Sequence, residues 1–202
     1  MATDWSGGPA VAALTAPMDN IRLLAPDRPM AGEHTIVVGI DIPSASPVFL
    51  AGVATHVVLA LICALAGAGA IFSRKAAGRH PRLGSVYYFG LVAVVVTAAG
   101  LAAVRWAEDF PLFILAAFSV AMATMGREAR RRQWPGWVRL HIVGMGGSYI
   151  LLLTAFYVDN GKSLPLWKAL PPIAHWIVPG AVGVPLVVLA LLRHPLAGRP
   201  AT

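Results

Sequence analysis

The sequence predicts an all-α fold, an integral membrane bundle of about five transmembrane helices. Hydrophobic residues make up 57% of the 202 residues and charged residues only 12%, whereas soluble domains carry roughly 25% charged residues. The few charges are confined to short stretches between long apolar runs. Such runs are typical of helices whose side chains face lipid rather than water.

Five apolar runs define the predicted helices, because roughly 20 helical residues cross the hydrocarbon core of a bilayer. We predict helices at about residues 47–72, 84–104, 111–125, 138–158 and 173–192, with the third as the shortest. The fifth contains Pro179 and Pro185, and proline usually bends a membrane helix. Indole side chains prefer the headgroup level, and five of them support these limits: Trp106, Trp134, Trp137, Trp167 and Trp176.

The domain organisation follows from these limits. Residues 1–46 are rich in Gly, Pro, Ala and Asp, so we expect a largely irregular tail. These residues also lack the basic start of a cleavable signal peptide. The segment of this tail from His34 to Ile42 is apolar and rich in β-branched residues. It is too short to span a membrane, so we expect it either to lie on the bilayer or to pair as a short strand. Residues 47–192 form the bundle, and residues 193–202 form a second tail.

The basic residues predict the orientation. Eleven of the 16 Lys and Arg residues fall in the first loop, the third loop and the C-terminal tail, which share one side if there are five helices. The positive-inside rule makes that side cytoplasmic. The N-terminus is therefore predicted outside and the C-terminus inside. The eleven are Arg74, Lys75, Arg79, Arg82, Arg127, Arg130, Arg131, Arg132, Arg139, Arg193 and Arg199.

Several functional classes find no support in the residues. The formal net charge of +7 does not indicate nucleic-acid binding, because the basic residues lie at helix ends rather than across a soluble face. The single cysteine, Cys63, excludes a disulfide within the chain and a Cys/His zinc pattern. No Ser-His-Asp, HExxH, Walker or GxSxG pattern occurs, so the sequence leaves open whether the protein is an enzyme.

Four histidines are the candidate cofactor-binding residues, since ionisable residues within a membrane are costly. His80 and His141 are predicted at a similar cytoplasmic depth, and His56 and His175 both in the outer half. Two such pairs resemble the way membrane b-type cytochromes hold heme b between facing helices. The simpler interpretation is that these histidines contact headgroups or hydrogen-bond between helices.

Two other features of the sequence allow a packing or a binding interpretation. Gly144, Gly147 and Ser148 lie on neighbouring faces of the fourth helix. Small residues at this spacing favour close helix packing over a gap for a flat ligand. Tyr87 and Tyr88 follow His80 by about two turns and would either line the same cytoplasmic pocket or form part of an aromatic belt.

The order of these motifs resembles an uncharacterised family of bacterial multi-pass membrane proteins, one of the domains of unknown function. The resemblance covers roughly residues 50–192 and omits the N-terminal tail. It implies a helical bundle in a bacterial inner membrane, with His56, His80 and His141 in one shared design, and implies no activity. The residues that carry it are His56, His80-Pro-Arg-Leu-Gly84, Tyr87-Tyr88, His141-Ile-Val-Gly-Met145, Ser148-Tyr149-Ile150, Thr154-Ala155-Phe156, Trp176, Pro179, Gly183 and Pro185.

Two hypotheses about function remain open from the sequence. The first is a redox or electron-transfer protein that binds heme b or a metal through membrane histidines, above all His80 with His141. The second is a non-catalytic structural or accessory subunit of a membrane complex, whose histidines only form hydrogen bonds. The partners expected in both cases are the lipid bilayer and either further copies of the chain or another membrane protein.

Overall fold

A computed structural model describes residues 35–37, 40–42, 47–75, 78–104 and 106–194. Within these residues, five helices are long and apolar enough to cross a membrane. The predicted fold class, an all-α integral membrane bundle of five helices, is confirmed. The helices are α1 (Pro47–Phe72), α2 (Arg79–Val104), α3 (Trp106–Arg132), α4 (Trp137–Asn160) and α5 (Pro172–Arg193).

A short β-hairpin precedes the bundle. Strand β1 (Thr35–Val37) pairs in antiparallel register with β2 (Ile40–Ile42), with Thr35 opposite Ile42. The β-branched segment of the N-terminal tail thus pairs as short strands, one of its two predicted conformations. The other residues of the tail, and residues 195–202 of the C-terminal tail, lie outside the described part of the chain.

The extents of α2 and α3 differ from the prediction. The helix predicted to be the shortest, α3, has 27 residues and is the longest of the five. Hydropathy detects only the lipid-embedded part of a helix, whereas Arg and Glu are good helix formers that continue it into the headgroup region. Glu128 binds Arg131 and Arg132, three and four residues further on, which supports the last turn of α3. In α2, Pro81 lies in the first turn, where its fixed φ suits a helix start.

Helix α4 lies centrally in the bundle. It packs against α3 and α5 and touches α1, while α2 packs against α1 and α3. Close packing of α3 on α4 depends on two facing glycines, because a Cβ on Gly144 would lie 2.8 Å from the Cα of Gly126. The buried core consists of Cys63, Ala66, Tyr87, Leu91, Val94 and Ala123.

The outer surface of the bundle is apolar. Helix α1 exposes Leu65 and Phe72, and α5 exposes Ile173 and Leu192, each with more than half of its surface accessible. Large apolar side chains on the outside are what a bilayer solvates. We call the end of the bundle that carries loops 73–78 and 133–136 the basic end, and the end that carries loop 161–171 the opposite end.

A candidate histidine site at the basic end

Two of the predicted histidines meet at the basic end of the bundle. His80 lies in the first turn of α2 and His141 in the second turn of α4. Their ring centroids are 6.2 Å apart and the ring planes are almost perpendicular, at 81°. The structure therefore brings together, at one end of the bundle, the pair that similar depth predicted.

Backbone carbonyls orient both imidazoles in the same way. The Nδ1 atom of His80 lies 3.0 Å from the carbonyl oxygen of Ala70 in α1, and that of His141 lies 3.1 Å from the carbonyl oxygen of Gly126 in α3. A carbonyl oxygen only accepts hydrogen bonds, so Nδ1 carries the proton in each ring. The Nε2 atoms then keep their lone pairs, which is the tautomer that a metal-ligating histidine usually needs.

The carbonyl that orients His80 also anchors the end of α1. Ala70 O accepts hydrogen bonds from Ser73 Oγ at 3.0 Å and from Lys75 Nζ at 2.9 Å, and Lys75 also donates to Ile71 O. The last carbonyls of a helix have no partner within it, and these side chains supply one. Burial lowers the pKa of Lys75, because desolvation disfavours its charged form.

Positive charge surrounds the histidine pair. Lys75 and Arg130 both act electrostatically on His80 and on His141. Positive charge attracts anionic groups to the basic end. The basic end therefore suits a ligand that carries negative charge.

The donor set described at this site consists of two imidazoles. A structural metal site usually takes four protein ligands. No group of three or more His, Cys, Asp or Glu that could hold a metal ion occurs among the described residues. Heme iron needs only two axial ligands from the protein.

Two tyrosines contact each other further along the bundle, on the side of the histidine pair away from the basic end. Tyr87 and Tyr149 lie about two turns along α2 and α4 from the two histidines, with ring centroids 5.9 Å apart. Both rings press against Gly67, where a Cβ would lie 2.9 Å from Tyr87. Tyr149 donates to the carbonyl of Ala64 at 3.0 Å, which ties α4 to α1.

A buried hydrogen-bond chain holds Tyr87. Ser148 Oγ donates to the carbonyl of Met145 and so accepts from the Tyr87 hydroxyl, each at 2.8 Å. Ser119 donates to the carbonyl of Ser148 at 2.8 Å. Sequence reasoning missed Ser119, whose only signal is a hydroxyl within the apolar run of α3. Together these contacts join α2, α3 and α4 beneath the histidines.

His56 lies toward the opposite end of the bundle with different partners. Its Nδ1 is 2.8 Å from Thr97 Oγ1. Because Thr97 uses its own proton on the carbonyls of Ala93 and Val94, His56 is the donor. Asp159 of α4 acts electrostatically on the same ring. His56 therefore has the polar partner that a histidine deep in a membrane helix requires.

His175 fastens the loop between α4 and α5. Its Nε2 donates to the carbonyl of Trp167 at 3.2 Å, and its ring fills the space beside Gly161. Trp167 stacks on Tyr157 with centroids 3.9 Å apart. The partners of His175 are thus in this loop and those of His56 on α2 and α4, so the proposed role of these two histidines as an outer heme pair stays a prediction.

We compared the chain with family models, curated proteins and solved structures. No family model, no curated protein and no solved structure matches the chain. The resemblance to a family of unknown function therefore also stays a prediction.

Proposed function

We propose that the protein resides in a bacterial inner membrane and binds one heme b between His80 and His141 for electron transfer. The observation that carries this proposal is the shared orientation of the two rings, each with Nδ1 bound to a backbone carbonyl. This orientation leaves both Nε2 atoms available as axial ligands. The single cysteine leaves no CxxCH pattern for covalent attachment, so a b-type heme fits the sequence.

Each part of the chain has a defined task in this proposal. His80 and His141 would hold the iron, and the carbonyls of Ala70 and Gly126 fix the orientation of their rings. The positive charge of Lys75 and Arg130, which acts on both rings, favours the anionic propionates. A bound heme would supply reversible one-electron chemistry.

The absorption spectrum of the purified protein tests the proposal. Protein expressed with added iron and heme precursor should show a Soret band, and heme extraction should give about one heme per chain. His80→Ala and His141→Ala should each abolish the band, because one axial ligand is lost. His194→Ala is the matched control, since it removes a histidine at the end of α5 and should keep the band.

The spectra are read only on folded protein. Each variant should elute from size exclusion like the unaltered chain in the same detergent. A colourless unaltered protein would contradict heme binding, as would a full Soret band in both alanine variants. Elemental analysis of the same sample then shows whether a bare metal is bound instead.

A structural or accessory role is the second candidate. The observation that favours it is His175, which is only 7% exposed and serves to fasten a loop. His56 likewise donates to a hydroxyl on a neighbouring helix. The chain therefore does use histidines as interhelical donors. A colourless, metal-free protein that copurifies with another membrane protein or forms a defined homo-oligomer would support this role.

We also propose that the N-terminus lies outside the membrane and the C-terminus in the cytoplasm. The basic side chains of residues 74 and 75, of the last turns of α3 and of the first turns of α2 and α4 support this orientation through the positive-inside rule. Green fluorescent protein fused after Thr202 should fluoresce, and alkaline phosphatase fused there should be inactive. The reverse pattern would place the basic end outside and contradict the orientation.

A further inference from the structure

Arg127 is held in a fixed position between α2 and α3 near the basic end. Its guanidinium carbon lies 4.6 Å from the ring centroid of Tyr88 and 5.0 Å from that of Phe89. The two rings are themselves in edge contact, with centroids 5.4 Å apart. The hydroxyls of Tyr88 and Thr124 are 3.2 Å apart, which joins α2 to α3 one turn before Arg127.

Arg127 lies within α3 and not at its C-terminal end. It precedes Arg132, the last residue of α3, by about 7.5 Å at the rise of an α-helix. The neighbouring carboxylate, Glu128, is bound by Arg131 at 2.8 Å and by Arg132 at 3.1 Å. Aromatic faces attract a cation but carry no net charge. At this depth an anion is a strongly favoured additional partner for the guanidinium.

An exposed apolar face of α2 lies beside Arg127, with Val86 one turn nearer the basic end than Phe89 and Val96 two turns further from that end. Val86, Phe89 and Val96 share one face of the helix at spacings of three and seven residues, and they are 46%, 59% and 65% exposed. Phe89 contributes to both features, because its ring contacts the guanidinium and its surface faces outward. The cation could bind the headgroup of an anionic lipid, and the exposed apolar face beside it could contact the acyl chain.

We propose that Arg127 binds the phosphate of an anionic phospholipid, whose acyl chain lies along Phe89 and Val96. Contact with two rings holds the guanidinium in place, and its N–H groups can bind two phosphate oxygens at once. Basic residues between transmembrane helices are known to favour anionic headgroups on the cytoplasmic side. The ring contacts of Arg127 involve neither imidazole, and the proposal does not depend on heme binding.

Native mass spectrometry with two lipids tests the proposal. Protein in detergent is mixed with equal amounts of phosphatidylglycerol and phosphatidylcholine, and retained lipid is counted per chain. The unaltered protein should retain phosphatidylglycerol preferentially. Arg127→Ala should retain it about fivefold less. Arg131→Ala is the matched control, because it removes the same charge from the same helix but no ring contact, and it should change retention by less than about twofold.

Two further variants separate the headgroup from the acyl chain. Arg127→Lys should lose most of the preference, because an ammonium cannot bind phosphate in a planar, bidentate way. Phe89→Ala should lower the retention of both lipids. Equal losses in Arg127→Ala and Arg131→Ala would overturn the proposal. So would displacement of the lipid by millimolar inorganic phosphate, since that result would describe an anion site without an acyl component.

Discussion

Replacing Gly144 with alanine is expected to force α3 and α4 apart and to lower the thermal stability of the bundle. A Cβ at this position would lie 2.6 Å from the carbonyl oxygen of Met122 and 2.8 Å from the backbone of Gly126. Both neighbours are main-chain atoms of a helix, so no side-chain rotation relieves the contact. Overpacking of this kind typically costs about 1–3 kcal/mol, and a rigid backbone places this position at the upper end.

The matched control for this prediction is Gly100→Ala in α2. A Cβ at Gly100 meets nothing within 4 Å, and alanine has the better helix propensity, so stability should stay the same or rise. The unfolding temperature is measured for both variants in one detergent by the loss of the monodisperse elution peak. An unchanged unfolding temperature for Gly144→Ala would mean that α3 and α4 do not pack through Gly126 and Gly144.

The number of helices could be predicted because lipid imposes a simple rule. A helix satisfies its own backbone hydrogen bonds within one segment, as a chain in lipid requires, and each such helix leaves an apolar run of its own in the sequence. The bounds of α1, Pro47–Phe72, agree with the prediction because a proline starts the run and charged residues follow it. The C-terminal part of α3 could not be placed in this way, since a helix that leaves the bilayer needs no apolar residues.

The candidate site could be predicted only in part. Depth along a helix follows from counting residues, and that was enough to pair His80 with His141. The direction in which each ring points depends on helix rotation and on its acceptor. The acceptors here are the carbonyls of Ala70 and Gly126, and every residue offers such a carbonyl, so the sequence carries no signal for them.

Adjacent tyrosines show the same limit. Successive residues of an α-helix are rotated by about 100°, so Tyr87 and Tyr88 cannot face the same neighbours. Tyr87 is 2% exposed and reaches Ser148, whereas Tyr88 reaches Thr124 and Arg127. The two tyrosines therefore have different partners and do not act as one feature. The packing of α2 between α1 and α3 separates them into a core residue and a residue of the α2–α3 contact.

Replacing Tyr87 with alanine is expected to be the most destabilising change to a side chain of the core. The ring touches Gly67 and lies beside Tyr149, and its removal leaves a cavity where α1, α2 and α4 meet. Deletion of a buried aromatic ring typically costs about 3–5 kcal/mol. Tyr87→Phe removes only the hydrogen bond to Ser148 and should cost about 1 kcal/mol, because interhelical hydrogen bonds in membranes are weak.

The difference between these two variants separates packing from hydrogen bonding at Tyr87. Phe118→Ala is the control for the loss of a large ring, because Phe118 is 61% exposed on the surface that faces lipid and should have little effect on the unfolding temperature. If Tyr87→Phe destabilises the bundle as much as Tyr87→Ala, the hydroxyl chain through Ser148 dominates the core. If Phe118→Ala is as damaging as Tyr87→Ala, that face of α3 is buried against a partner rather than solvated by lipid.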